Sequence, residues 1–279
     1  MSKRRTSVQQ TSNAKSGSSI GRYFYFVIGG IILVAVVSYI IIQPPPTDPK
    51  TFCARDTTNI GMTALLIDVS DKLSNSQVAR LQNELQHISS ISEKQSASFL
   101  EKGEKLLVYF VEPEGQVPSL VFSMCHPGDT ASRSVADGLS EGAIFARKKW
   151  QKFTNDTIAT IENKIDGSSA MSTSPLIEVI QFIRAQNFPP ARLMNEAIKH
   201  RLIIWSDLLQ NSNAGDHFSK LDDYKEVLRR NPLEMSGIEV SIFQIISEKY
   251  FKYQTNEHTA WWRKIFAKAG ATMRMWEKI

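Results

Sequence analysis

The chain has 279 residues, 42% of them hydrophobic, enough to bury a sizeable core without requiring two large domains. Its formal charge is +5, and Lys3, Arg4, Arg5, Lys15 and Arg22 carry that whole excess within a first segment free of Asp and Glu. The remainder is net neutral, which removes the basic footprint that a nucleic-acid-binding domain needs.

Residues 1–22 are rich in Ser, Gln, Asn and Lys, have little to bury, and read as a disordered basic tail. Phe24–Ile42 then runs for 19 residues without a charge. As a helix rising 1.5 Å per residue, that length suits a hydrocarbon core about 30 Å thick. Tyr23, Tyr25 and Tyr39 stand near its two ends, where amphipathic rings prefer the headgroup layer. A cleaved signal peptide would be shorter and would need small residues at its exit. Ile40-Ile41-Ile42-Gln43-Pro44 offers none. Residues 23–43 are therefore expected to form an uncleaved transmembrane anchor. The five preceding positive charges keep the N-terminus cytoplasmic and send the rest of the chain into the periplasm of a bacterial inner membrane. Pro44, Pro45, Pro46 and Pro49 make residues 44–60 a stiff, proline-rich linker.

Residues 61–279 carry the signals of one α/β domain. Met62–Val69 is an apolar run suited to a strand buried on both faces. Ser74 with Gln77 three residues on matches a capping box, and Val78, Leu81, Leu85 and Ile88 continue at helical spacing. Lys105–Val111 and Ser119–Met124 are strand-like, and their short link fits an antiparallel hairpin. A helix is expected over 140–165. After the polar stretch Asp166–Thr173, another should open at Ser174-Pro175 with the serine as its cap. A strand at Arg201–Trp205, a short helix near Leu221–Leu228, a strand at Ile238–Ile246, a helix at Thr259–Ala269 stopped by Gly270, and a strand at Ala271–Trp276 complete the order. Strands alternating with helices imply a doubly wound, mostly parallel sheet with one antiparallel edge strand and helices on both faces.

Ligand sites in such sheets form at the carboxyl ends of the strands, near a switch in strand order. Asp68 ends the first strand, Asp207 ends the fourth, and Ser174 opens a helix on the same rim. The strings Asp68-Val69-Ser70-Asp71-Lys72, Ser174-Pro175-Leu176 and Ser206-Asp207 resemble the von Willebrand factor A family over residues 62–279. That family carries Asp-x-Ser-x-Ser after its first strand, a Thr or Ser before a later helix, and an Asp after the next strand. The resemblance implies that Asp68, Ser70, Ser174 and Asp207 gather round one divalent cation, usually Mg²⁺, whose shell a partner's carboxylate completes. Lys72 departs from it, standing where the family has a second Ser. Mg²⁺ wants hard oxygen ligands, and a lysine offers a positive charge without a lone pair. Either a metal binds with help from Asp71 or Ser74, or the site is degenerate and the Lys72 ammonium replaces the cation as an internal ion pair. The lysine is the favoured reading. In a plainer alternative, Asp68 and Ser70 simply cap the helix that follows.

The sequence contains no His-Glu-x-x-His string, no glycine-rich phosphate loop and no Gly-x-Ser-x-Gly elbow. Trp261-Trp262 is expected to split, one ring to the core and one to the rim. Cys53 and Cys125 are the only cysteines, and an even count beyond an anchor in an oxidising compartment favours a disulfide. The chain therefore reads as a non-enzymatic, membrane-anchored protein-interaction module, a subunit of an envelope-associated assembly with a protein partner in the cell envelope. It carries no cofactor, or Mg²⁺. The alternative is a metal-dependent hydrolase using Asp68 and Asp207.

Overall fold

A computed structural model describes residues 19–42, 47–55, 60–89, 100–128, 143–219 and 221–279. Residues 1–18 of the expected tail, the Pro44–Pro46 run and residues 140–142 of the helix sought at 140–165 lie outside these residues, whereas residues 19–22, expected in the tail, are helical. The chain divides into two compact units, residues 1–44 and 45–279.

The described residues of the first unit form one helix, α1 (Ser19–Ile42), five residues longer at its start than the apolar run. Its described side chains are those of residues 27–38, which include Val27, Ile31, Leu33 and Val34, all exposed. Among the described residues no helix is long and apolar enough to cross a membrane. Of the predicted span, the side chains of residues 23–26 and 39–43 fall outside the described ones.

In the second unit, β1 (Met62–Ile67), β2 (Lys105–Phe110), β3 (Ser119–Cys125), β4 (His200–Ser206), β7 (Glu239–Gln244) and β8 (Thr272–Lys278) form one sheet in the order β3-β2-β1-β4-β7-β8. Every pairing is parallel except β2 with β3, so the antiparallel strand sits at an edge as expected. A short hairpin, β5 (Asn211–Ser212) with β6 (Gly215–Asp216), follows β4.

The inner strands β1, β4 and β7 are buried at successive positions because both faces are covered. Ala64, Leu66, Leu202, Ile204, Val240 and Ile242 pack with α4 (Leu176–Asn187) and α6 (Asn256–Lys268). The alternate residues, among them Leu65, Ile67, Ile203, Trp205 and Phe243, pack with α2 (Asn75–Ser89) and α3 (Ala143–Asp166). Side chains one apart on a strand point to opposite faces, so a doubly covered strand needs both sets apolar. The short α5 (Tyr224–Arg230) adds Val227 to the first layer.

Local signals act as their chemistry dictates. The capping box forms reciprocally: Ser74 N–H donates to Gln77 Oε1 at 2.9 Å, and Gln77 N–H donates to Ser74 Oγ at 3.3 Å. Thr255 caps α6 by accepting from His258 N–H, and Gly270 ends that helix at φ +85°.

Two expectations are corrected. Ser174 is not the cap of α4, whose N-terminal amide of Ile177 donates instead to Gln210 Oε1 at 2.9 Å. The Trp261-Trp262 pair does not split, because both rings are buried. Each indole finds a carbonyl inside, Trp261 Nε1 donating to Asp222 O at 2.6 Å and Trp262 Nε1 to Leu208 O at 2.8 Å. With the N–H satisfied, the large ring gains more in the core than at the rim.

The segment 44–60, expected to be a stiff proline-rich linker, is partly folded onto the domain. Thr47 bridges Ala54, Phe52 lies in the α2–α3 core layer, and Cys53 is disulfide-bonded to Cys125 at the end of β3. Residues 47–55 thus belong to the domain.

Candidate functional site

The sheet order reverses between β1 and β4, which places the carboxyl ends of these neighbours at the switch point. Asp68 follows β1 directly, and its N–H continues the ladder to Trp205 O at 2.8 Å. Asp207 follows β4. Both carboxylates are buried, Asp68 at 3% exposure and Asp207 at 6%.

Four groups converge here. Asp68 Oδ2 accepts from Ser174 Oγ at 3.0 Å and from Ser206 Oγ at 2.8 Å, while Asp68 Oδ1 accepts from Ser70 N–H at 2.9 Å. Asp207 Oδ1 accepts from Leu209 N–H at 2.9 Å. The structure therefore brings together Asp68, Ser70, Ser174 and Asp207, which the sequence placed on one rim. Asp68, Ser70 and Asp207 line a cleft of about 570 Å³ that also reaches Lys72 and Lys249, and Ser174 joins them through its hydrogen bond to Asp68.

Lys72 does not take the place expected of it. Its side chain is exposed, and the charges acting on Asp207 are those of Asp68 and Asp71. An ammonium on a four-carbon stem loses its hydration on entering a buried site, and the open mouth of the cleft spares it that cost. Burial first, then the charges of Asp68 and Asp71, push the Asp207 carboxyl well above the usual carboxylate range, against the opposing Leu209 N–H.

The donor set is all oxygen, which in type suits a hard cation such as Mg²⁺. Asp68, Ser70, Ser174 and Asp207 are the residues that would hold it. Among the described residues no group of three or more His, Cys, Asp or Glu side chains is arranged to hold a metal, so a cation here would lean on the serine hydroxyls.

Several rim residues carried no sequence signal for this role. Ser206 reaches the same oxygen as Ser174, and only its place beside Asp207 hinted at it. The turn after Asp207 is held in an uncommon conformation: Leu208 has φ +62°, and its carbonyl accepts from both His258 Nε2 and Trp262 Nε1 at 2.8 Å. Gln254, far along the chain, donates through Nε2 to Asp207 O at 2.9 Å and Ile245 O at 2.6 Å. His217 accepts from Gln210 N–H through Nδ1, and burial, then neighbouring His258, lowers its pKa to about 3.

Asp207→Asn is expected to stabilise the domain at pH 7 by about 1–2 kcal/mol, read as a higher urea midpoint. The amide keeps an oxygen for Leu209 N–H and removes the repulsion from Asp68. The folded carboxyl holds its proton to higher pH than the unfolded chain does, so its contribution to stability is present at low pH. That contribution is lost as pH rises past the ordinary value of 3.8. The gain from the substitution should therefore shrink on acidification. A pH-independent gain, or a loss, would contradict the raised carboxyl.

The sheet order, the antiparallel edge strand and the gathering of Asp68, Ser174 and Asp207 at the switch point follow the layout expected from the sequence and its resemblance to the von Willebrand factor A family. No protein-family model matches the chain, and no curated protein matches it. Among solved structures it is similar to proximal thread matrix protein 1 from the mussel byssus with a zinc-occupied MIDAS motif. The identity is 9% and the TM-score 0.35, covering 76% of this chain and 47% of that one. A second crystal form of the same protein matches with 10% identity and a TM-score of 0.31, over 78% and 44% of the two chains. The human COPII-coat protein Sec24c matches with 10% identity and a TM-score of 0.30, over 81% and 31%. The chain spans less than half the length of each of these proteins.

Proposed function

We propose that this chain is a membrane-anchored protein-interaction module of the bacterial envelope, a subunit of an envelope-associated assembly whose partner docks on the rim beyond β1, β4 and β7. The observation that carries the reading is the convergence of Asp68, Ser174, Ser206 and Asp207 beside an open cleft at the switch point. The rim histidines favour recognition over catalysis: His217 and His258 are buried, and each gives one ring nitrogen to the backbone, His217 Nδ1 to Gln210 N–H and His258 Nε2 to Leu208 O. General acid–base work needs such a group within reach of a substrate proton. The anchor rests on the sequence, in which Phe24–Ile42 runs for 19 residues without a charge, a length that suits a hydrocarbon core of about 30 Å. The disulfide supports an oxidising compartment for the domain. Mg²⁺ on the rim serine and aspartate oxygens would belong to partner binding in this reading.

Photo-crosslinking residues placed in living cells at Lys72 on the rim and at Arg192 near the opposite edge test it. A discrete adduct from position 72 and none from 192 is expected, together with activity of a periplasm-dependent reporter fused after Ile279. Adducts from 192 alone would sink the rim, and cytoplasmic reporter activity would sink the topology.

A further inference from the structure

The turn after β7 carries a surface that begins at Lys249 on the lip of the cleft and extends beyond it to Tyr253. Phe251–Tyr253 forms a single 3₁₀ turn, and Phe251 is 65% exposed at its tip. Beside it two lysines lie flat on two tyrosines, Lys249 Nζ 4.4 Å from the Tyr250 ring centre and Lys252 Nζ 4.8 Å from that of Tyr253. Phe218 meets both tyrosines edge-on, at 4.9 and 5.1 Å. Among the described residues, neither lysine forms an ion pair with a carboxylate. Asp71 acts on Lys249 only as the smallest influence, raising its pKa after the contact with Tyr250.

This ledge is built rather than loose. Gln254 Oε1 accepts from Ser247 N–H at 2.9 Å, Ser247 Oγ donates to Asp71 and accepts from Tyr250 N–H, and Gln254 ties the turn to Asp207 O. Lysines already ordered on aromatic faces lose less freedom when a partner arrives, and exposed aromatic side chains are the anchors from which interfaces draw most affinity.

We infer that the ledge Lys249–Tyr253, with Phe218 beneath it, docks an acidic segment of a partner protein. Its carboxylates would meet Lys249 and Lys252 and an apolar side chain would cover Phe251. The inference rests on the interaction-module reading and names the chemistry of its partner. The chain enters the domain through Cys53 at Cys125, which pairs with Lys105 at the start of β2, whereas the ledge follows the carboxyl end of β7. A six-residue strand separates those edges by about 20 Å.

The test uses the full chain in neutral-lipid nanodiscs and four probes. These are a fluorescein-labelled peptide of Asp and Glu around a central Phe, its Asn/Gln counterpart, its Lys counterpart, and vesicles containing phosphatidylserine. Saturable binding of the acidic peptide alone is expected. Lys249→Gln and Lys252→Gln should each weaken it about fivefold, and Phe251→Ala by a similar factor. Binding should vanish at about 1 M salt. Equal binding of the neutral peptide, preference for the lysine peptide, capture of the vesicles, or indifference to both lysine variants would each overturn the inference. Rim crosslinks at position 72 that persist in the Lys249→Gln/Lys252→Gln variant would leave the module reading standing while the ledge fails. Loss of those crosslinks from the unmodified chain would remove the reading itself.

Discussion

Arg201→Met is expected to destabilise the domain by about 3–5 kcal/mol, the cost of leaving a buried charge without its partner. Arg201 on β4 gives Nη1 to both oxygens of Glu104, at 3.0 and 2.9 Å, and both side chains are almost wholly buried. Thr63 Oγ1 and Glu101 N–H complete the carboxylate's shell, so the pair ties β1, β2 and β4 together at the edge opposite the rim. Burial raises the Glu104 carboxyl, and Arg201 is the strongest of the influences holding it down. With methionine in its place, the carboxyl should rise further above its unfolded value of 4.5. Stability from a raised carboxyl is present at low pH and lost as pH rises, so the variant's deficit should narrow as the solution is acidified. Glu104→Leu with Arg201→Met removes both charges and should restore most of the loss, because a buried ion pair adds little beyond a well-packed apolar pair. Urea midpoints across pH 5–8 decide the matter. A single-variant loss below about 1 kcal/mol would mean that water reaches the pair and satisfies Glu104.

The architecture was legible in the sequence because its signals were local. A strand buried on both faces must be apolar at consecutive positions, and Met62–Val69 and Arg201–Trp205 are. The Ser74–Gln77 box acts between neighbours in the chain, and the seven-residue link from Glu112 to Pro118 leaves β2 and β3 only the antiparallel option. Asp68 and Asp207 were found for the same reason, since a polar residue at the end of an apolar strand marks the rim.

What escaped was set by tertiary contact. Ser174 stands where a cap should be, but once Asp68 is buried its oxygen needs donors more than the helix needs a local cap. Gln210, brought back by the β5–β6 hairpin, caps α4 in its stead. Nothing in the string around Gln254 reports that it will brace Asp207. The position of Lys72 could not be read either, because a lysine next to two carboxylates suggests an ion pair by proximity in sequence. Whether it enters depends on the balance between lost hydration and Coulomb attraction in the folded cleft. Likewise Pro44–Pro49 reads as a spacer until Phe52 is seen in the core.

Reducing the Cys53–Cys125 bond should lower stability by about 4 kcal/mol, because its sequence separation of 72 closes a long loop in the unfolded chain. The bond has a second role that entropy alone does not describe. Asp48 Oδ1 accepts from Lys50 N–H and Thr51 N–H, Asp48 O accepts from Phe52 N–H, and Thr51 O accepts from Cys125 N–H. These bonds fold residues 48–53 into a knob on the end of β3, and Phe52, at φ +58°, places its ring in the core layer under α2 and α3. The knob is where the chain joins the domain, so a pull on the N-terminal side loads the Thr47–Ala54 bridge and the bonds around Asp48, with the disulfide behind them. Cys53→Ser/Cys125→Ser should therefore lower the urea midpoint to that of the reduced wild type. Phe52→Ala with the bond intact should cost about 3–5 kcal/mol through the cavity it leaves. Alkylation before reduction should label neither cysteine, and limited proteolysis of the double-serine variant should cut first between residues 47 and 55. Equal midpoints with and without reductant would show that the loop is already constrained when unfolded, and early cutting elsewhere would show that the knob holds without its bond.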